Sequence, residues 1–208
     1  MGQFGSWVLD ERKFLNGSEL GRVRKSVRGR VERAGFKRRL PWLEWFLIEL
    51  GLETGLRVAE IAGLTCSDLV FTANACGVMV RHGKGDKPRF VRVRKSFGQV
   101  CEDFLNWKQA MGESMEPDAP VFRSSATGGH MTTRGLQKMF MRVCQRVQVC
   151  EHSIHHLRHT YASYLYKSSG KDLRLVQRQL GHSSIRTTEV YAHVFDRDLE
   201  RAVEKLYA

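Results

Sequence analysis

Paired cysteines, long apolar runs and internal repeats are all missing from this chain of 208 residues. Its five cysteines, Cys66, Cys76, Cys101, Cys144 and Cys150, fall at irregular spacings with no C-x-x-C pair. That argues against a disulfide frame and for free thiols in a reducing compartment. Cys144, Cys150, His152 and His155 lie within twelve residues, but their spacing matches no common structural-zinc pattern. A membrane-spanning helix needs about 20 apolar residues. The most apolar stretch here, Trp42 to Leu52, is short and broken by Glu44 and Glu49. The start, MGQFGSWVLDERKF, lacks the basic and apolar segments of a secretory signal, so a cytoplasmic address is expected. No glycine-rich phosphate-binding helix start occurs either, and no nucleotide or metal cofactor is implied.

Acidic residues are also scarce. Asp and Glu number 22 against 34 Lys and Arg, a formal net charge of +12. Such an excess suits a polyanionic partner. Its distribution sharpens the point: between Arg22 and Arg39 stand nine basic residues and one acid, Glu32. A solvated helix face normally mixes signs, so the block reads as a grip on nucleic acid, with Arg24, Arg28 and Lys37 as candidate backbone contacts. With 42% hydrophobic and 10% aromatic residues the chain can bury a real core.

Periodicity places the elements. Leu20, Val23, Val27 and Val31 recur at helical spacing, with Asn16 or Ser18 as the cap. Pro41 suits the opening of a second helix carrying Trp42, Phe46, Leu47 and Leu50 inward, and 51–55 reads as a turn before a short helix over 57–64. Three short strands follow, 67–71, 77–81 and 89–93, the last two joined by a glycine-bearing hairpin tip at 82–88. Helices are then expected from Ser96, over 132–149, 153–168, 172–180 and 184–193, and in a last segment, 196–206. Leu136, Met139, Phe140, Val143 and Val147 form a core stripe. The fold expected is mainly α with a small three-stranded antiparallel β-sheet, an α+β chain, in one domain.

Four segments concentrate cationic and proton-transferring groups: Thr54-Gly55-Leu56-Arg57-Val58-Ala59-Glu60, Gly83-Lys84-Gly85, His155-His156-Leu157-Arg158-His159, and Leu180-Gly181-His182 with Tyr191 nine residues after that histidine. In this order and on these elements they resemble the conserved boxes of the tyrosine recombinase (phage integrase-like) family. Each box alone is weak; together they are specific. The resemblance implies DNA cleavage and rejoining through a covalent 3′-phosphotyrosyl intermediate, with no cofactor.

The chemistry suits the residue types. Cutting a phosphodiester without metal needs a nucleophile, cations on the non-bridging oxygens, and an acid for the leaving 5′ oxygen. By resemblance Tyr191 is the nucleophile, Arg57 and Arg158 clamp the phosphate through their planar guanidinium groups, and His182 hydrogen-bonds it. Lys84 protonates the leaving oxygen, and His155 assists proton removal from the tyrosine. Glu60, one helical turn after Arg57, is expected to orient the site through contacts behind the reacting groups. His156 and His159 are expected outside the chemistry, the second as a buried hydrogen-bond donor. Lys87 and Arg89 read as phosphate-backbone contacts.

Tyrosine recombinases usually carry an N-terminal DNA-binding module ahead of the catalytic domain. Here residues 1–15 form only a short extension before the domain expected over 16–208. An excised domain and a naturally short recombinase both fit. The family's C-terminal tail docks on a neighbouring protomer in a tetramer on DNA. Leu199, Val203 and Leu206 are the candidates for that contact, or for packing on their own domain, which leaves a monomer in isolation open. The expected partners are therefore double-stranded DNA with a specific recombination site and further copies of the chain, with no membrane. A type IB topoisomerase shares the residue types, and a regulator without catalysis shares the DNA affinity. The L-G-H box and the interval to Tyr191 favour the recombinase.

Overall fold

The computed structural model describes residues 14–72, 74–83, 87–149, 153–182 and 184–193, without the side chains of 186, 190, 192 and 193. Lys84, Cys150, His152 and the segment 196–206 lie outside the described residues. Eight helices and one sheet are described: α1 Gly17–Ala34, α2 Arg39–Thr54, α3 Val58–Ala62, β1 Leu69–Phe71, β2 Cys76–Val80, β3 Arg89–Arg92, α4 Lys95–Ala110, α5 Thr133–Arg146, α6 His155–Ser168, α7 Leu173–Leu180 and α8 Arg186–His193. The sheet is an antiparallel meander in the order β1-β2-β3, with Val78 opposite both Leu69 and Val91. This is the expected class.

Helix α2 is the axis of the molecule. Its neighbours are α1, α4, α5 and α6, so residues on nearly every side of it are buried. Aromatic rings fill the space on one side: Phe46 stacks on Phe104 with centroids 3.9 Å apart, and Trp42 lies parallel to Trp107 at 5.7 Å. The α5 stripe Leu136, Met139, Phe140 and Val143 closes the same core. At the start of α1, the Asn16 side chain accepts from the Glu19 backbone and the Glu19 carboxylate from the Asn16 backbone. Two of the helix's open donors are thereby satisfied.

Three local expectations change. Helix α2 begins at Arg39, with Pro41 inside its first turn, where a missing N–H costs nothing. It also runs on through Thr54, and the turn shrinks to Gly55. Gly51 lies inside the helix, and its lack of a side chain lets α6 pack so closely that a Cβ there would lie 2.7 Å from Leu157 Cδ1. Ser67 and Asp68 belong to a 3-10 turn rather than a strand. The Asp68 carboxylate is held there by the Thr65 backbone and hydroxyl, both at 2.9 Å, and by Arg81.

The basic block is partly consumed inside the fold. Glu44, fully buried on α2, is clamped by both ends of the Arg146 guanidinium at 3.0 and 2.9 Å and by Arg30 at 3.1 Å. Glu49 and Glu53, one turn apart on α2, take Arg24, and Glu53 also takes Arg94. Arg39 binds Glu113 and the Arg123 carbonyl. Carboxylates on a helix this buried are tolerable only when paired, and α1 supplies two of the cations. Arg24, expected as a DNA contact, is paired with the acids of α2. Arg28 remains exposed, paired with the exposed Glu32, and Lys37 is exposed. Accordingly Arg24→Glu, which sets a third acid beside Glu49 and Glu53, is expected to lower stability by about 1–3 kcal/mol in urea unfolding. Arg28→Glu and Lys37→Glu should stay within about 0.5 kcal/mol.

Candidate active site

Two glycines build the site. Gly55 ends α2 and Gly181 ends α7, each in the left-handed conformation, φ +60° and +64°. A side chain is strained there, and at Gly55 a Cβ would also overlap the Tyr161 ring. Each turn throws the next cationic or imidazole residue, Arg57 or His182, off the end of its helix. Each also leaves helix-end carbonyls pointing outward.

Arg158 occupies the space between them. It is 5% exposed on α6, and its guanidinium donates to the Gly55 carbonyl at 2.6 Å and the Leu180 carbonyl at 3.0 Å. A cation at two helix C-termini meets the negative ends of both dipoles. Burial, with Arg57 nearby, still lowers its pKa to about 10, so it stays charged at neutral pH.

Arg57 is half-buried at the start of α3, where Glu60 closes the first turn by accepting from the Arg57 backbone N–H at 2.8 Å and from its guanidinium at 2.9 Å. The same carboxylate is gripped in parallel by Arg89 of β3, at 2.9 and 2.8 Å. Burial alone would raise the Glu60 pKa, but the hydrogen bonds from Arg89 and Arg57 outweigh it and hold the group below its ordinary value. Arg89, expected as a phosphate-backbone contact, is paired with Glu60 and so ties the sheet to Arg57. It also packs against Gly181, where a Cβ would come within 2.8 Å of it. Lys87 is exposed beside the hairpin tip.

Tyr191 on α8 is buried with Ala162, Tyr166, Val176 and Leu180. Burial raises its phenol to about 12, against the pull of Arg158 and Arg57. Its hydroxyl lies 3.0 Å from His159 Nδ1. His182 Nδ1 is 2.9 Å from the hydroxyl of the buried Thr188. Burial and the charges of Arg158, Arg57 and Arg89 push the His182 pKa down to about 3, so its ring is neutral near pH 7. His155 is exposed at the first residue of α6 and makes no hydrogen bond among the described residues.

The fold therefore gathers Arg57, Glu60, Arg89, Arg158, His159, His182 and Tyr191. Lys84 belongs to the hairpin tip outside the described residues. Sequence reasoning missed the contact of His159 with Tyr191 and the pairing of Arg89 with Glu60. The first had a signal: His159 is four residues after His155, on the same helical face. The second had none, because a strand residue does not announce a partner in another element. Among the described residues no group of His, Cys, Asp and Glu is placed to hold a metal ion, and no helix is long and apolar enough to cross a membrane. Cys144 is buried in α5.

The Glu60 clamp predicts a pH response. A carboxylate whose folded pKa is lowered adds stability that is present above its ordinary pKa and lost as pH falls through the folded one. Wild-type stability should therefore drop as pH falls below 4.5, the ordinary value. Glu60→Gln should flatten that part of the profile, read by thermal unfolding between neutral and acid pH.

Comparison with known proteins agrees with this arrangement. The phage integrase family matches residues 37–198. The tyrosine recombinase XerC of Oceanobacillus iheyensis is 35% identical over 162 residues, which cover 76% of this chain and 52% of that protein. The chain spans about half the length of the first curated relatives it matches. Among solved structures, the XerH site-specific recombinase in its pre-cleavage complex with difH superposes with a TM-score of 0.71 at 26% identity, covering 94% of this chain and 53% of that one. The catalytic domain of bacteriophage HP1 integrase shares the fold at a TM-score of 0.60 and 20% identity, covering 93% of this chain and 94% of that domain. With the boxes around Arg57, Arg158, His182 and Tyr191 folded into one site, this chain belongs to the phage integrase family of tyrosine recombinases.

Proposed function

We propose that residues 16–208 are the catalytic part of a site-specific DNA recombinase, which cuts and rejoins duplex DNA through a 3′-phosphotyrosyl bond to Tyr191. The observation that carries this reading is the convergence of Arg57 and Arg158 on one buried tyrosine, with His182 beside the same two arginines. Two fixed guanidinium groups and a neutral imidazole donor are what a phosphate needs as negative charge builds on its oxygens. A related protein, XerH, is a site-specific recombinase solved on its difH substrate. Covalent attachment keeps the energy of the broken bond for rejoining, so no nucleotide is consumed.

In this scheme Arg57, Arg158 and His182 hold the scissile phosphate. Lys84 is the acid for the leaving 5′ oxygen, and His155, exposed at the head of α6, stands where DNA can reach it. Glu60 and Arg89 fix Arg57. Arg28, Lys37 and Lys87 meet the DNA backbone, and several copies assemble on the site, four by analogy with the family, through the tail that bears Leu199, Val203 and Leu206.

The test uses a pool of nicked suicide duplexes with randomised sequence, in which the cleaved end diffuses away and the covalent complex accumulates. Wild-type protein should yield a complex that survives denaturing electrophoresis, and Tyr191→Phe should yield none. Survival of the complex in Tyr191→Phe would remove Tyr191 from the nucleophile role. For DNA grip, Arg28→Glu with Lys37→Glu should weaken binding across sequences and lower the slope of log affinity against log salt by about 2. Fluorescence anisotropy at several salt concentrations measures it.

A further inference from the structure

We infer that His159, rather than His155, is the immediate acceptor of the Tyr191 phenol proton. The inference rests on the recombinase reading above and adds a residue to it. A buried phenol with a raised pKa is a poor nucleophile unless a base stands within hydrogen-bond reach. His159 Nδ1 stands 3.0 Å from the hydroxyl, with ring centroids 5.9 Å apart.

The other groups of the described site are unsuited to the task. Arg57 and Arg158 are cations and have no lone pair to offer. His182 is occupied at Nδ1 by Thr188, and burial and three nearby arginines oppose a positive charge on its ring. Both oxygens of Glu60 are committed to arginines, which stabilise its ionised form and weaken it as a base. His155 lies one helical turn nearer the start of α6, exposed and without a hydrogen bond among the described residues. That leaves His155 for the DNA side of the site and His159 for the phenol side.

With its own proton on Nε2, the His159 ring accepts the phenol hydrogen at Nδ1. As the phenol oxygen bonds to phosphorus and the bond from phosphorus to the 5′ oxygen breaks, the phenol proton passes to Nδ1 and the imidazole becomes cationic. The leaving 5′ oxygen takes its proton from a separate acid, Lys84 in the scheme above. Rejoining reverses both transfers: the 5′ hydroxyl gives up its proton to the acid's conjugate base, and the phenolate recovers its own from His159.

The test compares wild type, His159→Ala, His159→Asn and Lys84→Ala on two nicked duplexes of one sequence taken from the covalently trapped pool. One carries the ordinary bridging oxygen and the other a 5′-bridging sulfur, whose thiolate leaves without a proton. The first-order rate of covalent trapping is measured at saturating DNA, with affinity measured separately and folding checked by thermal unfolding. His159→Ala should slow trapping on the order of 10²-fold on both duplexes with affinity unchanged. His159→Asn, whose amide can accept a hydrogen bond but not hold a proton, should stay equally slow. Lys84→Ala should be slow on oxygen and recover on sulfur.

The inference is overturned by an unchanged rate in His159→Ala, by recovery of the rate in His159→Asn, or by recovery of His159→Ala on the sulfur duplex. Recovery with Asn would make His159 a positioning residue, and recovery on sulfur would place it on the leaving group. In each of those cases a wild-type complex that needs Tyr191 leaves the recombinase reading standing. Absence of any wild-type complex overturns both.

Discussion

A single buried guanidinium holds this site together. Arg158 sits where the C-termini of α2 and α7 meet α6, and it donates to one carbonyl from each helix end. Those carbonyls lie at or beside left-handed glycines, which end the helices and release Arg57 and His182 into the same space. The two boxes are far apart in the chain, yet their glycines do the same mechanical job. A helix-end carbonyl left unpaired in a buried place would be costly. Arg158 satisfies two of them while keeping its charge, so the scaffold and the electrostatics of the site rest on one residue.

A second layer extends outward from it. Glu60 accepts from Arg57 and from both ends of Arg89, which joins the α3 turn to β3 and therefore to the hairpin that carries Lys84. Gln179 adds a further tie from α7, donating to the Arg92 carbonyl and the Tyr161 hydroxyl. The resulting field treats its members differently. Burial and the neighbouring arginines keep His182 neutral, while burial makes Tyr191 reluctant to ionise despite the same cations. A phenol in that setting depends on a neighbouring acceptor, and this gives the contact with His159 its weight.

The positive charge of the chain divides along similar lines. Part of the excess serves the interior: Arg24, Arg30, Arg94 and Arg146 neutralise acids on the most buried helix, and Arg39 does so for Glu113. Part is committed to the site through Arg57, Arg89 and Arg158. What remains on the surface, Arg28 and Lys37 among it, is the share available to a polyanion. A count of basic residues therefore overstates the positive charge left free at the surface.

The fold class, the helix and strand order, the core stripes of α1, α2 and α5, and the four boxes are all legible along the chain. These are written in local periodicity, in turn glycines and in short fixed intervals, each of which acts within a few residues of the chain. Packing settles which cations are already spent, that Arg89 holds Glu60, that Leu157 crosses α2 at Gly51, and that His159 meets Tyr191. Charge pairing and burial depend on neighbours brought from elsewhere in the chain. Arg24 and Glu53 are 29 positions apart, and His159 and Tyr191 are 32. Periodicity records which face of an element turns inward, but the partner that face will meet is set by the packing of the whole.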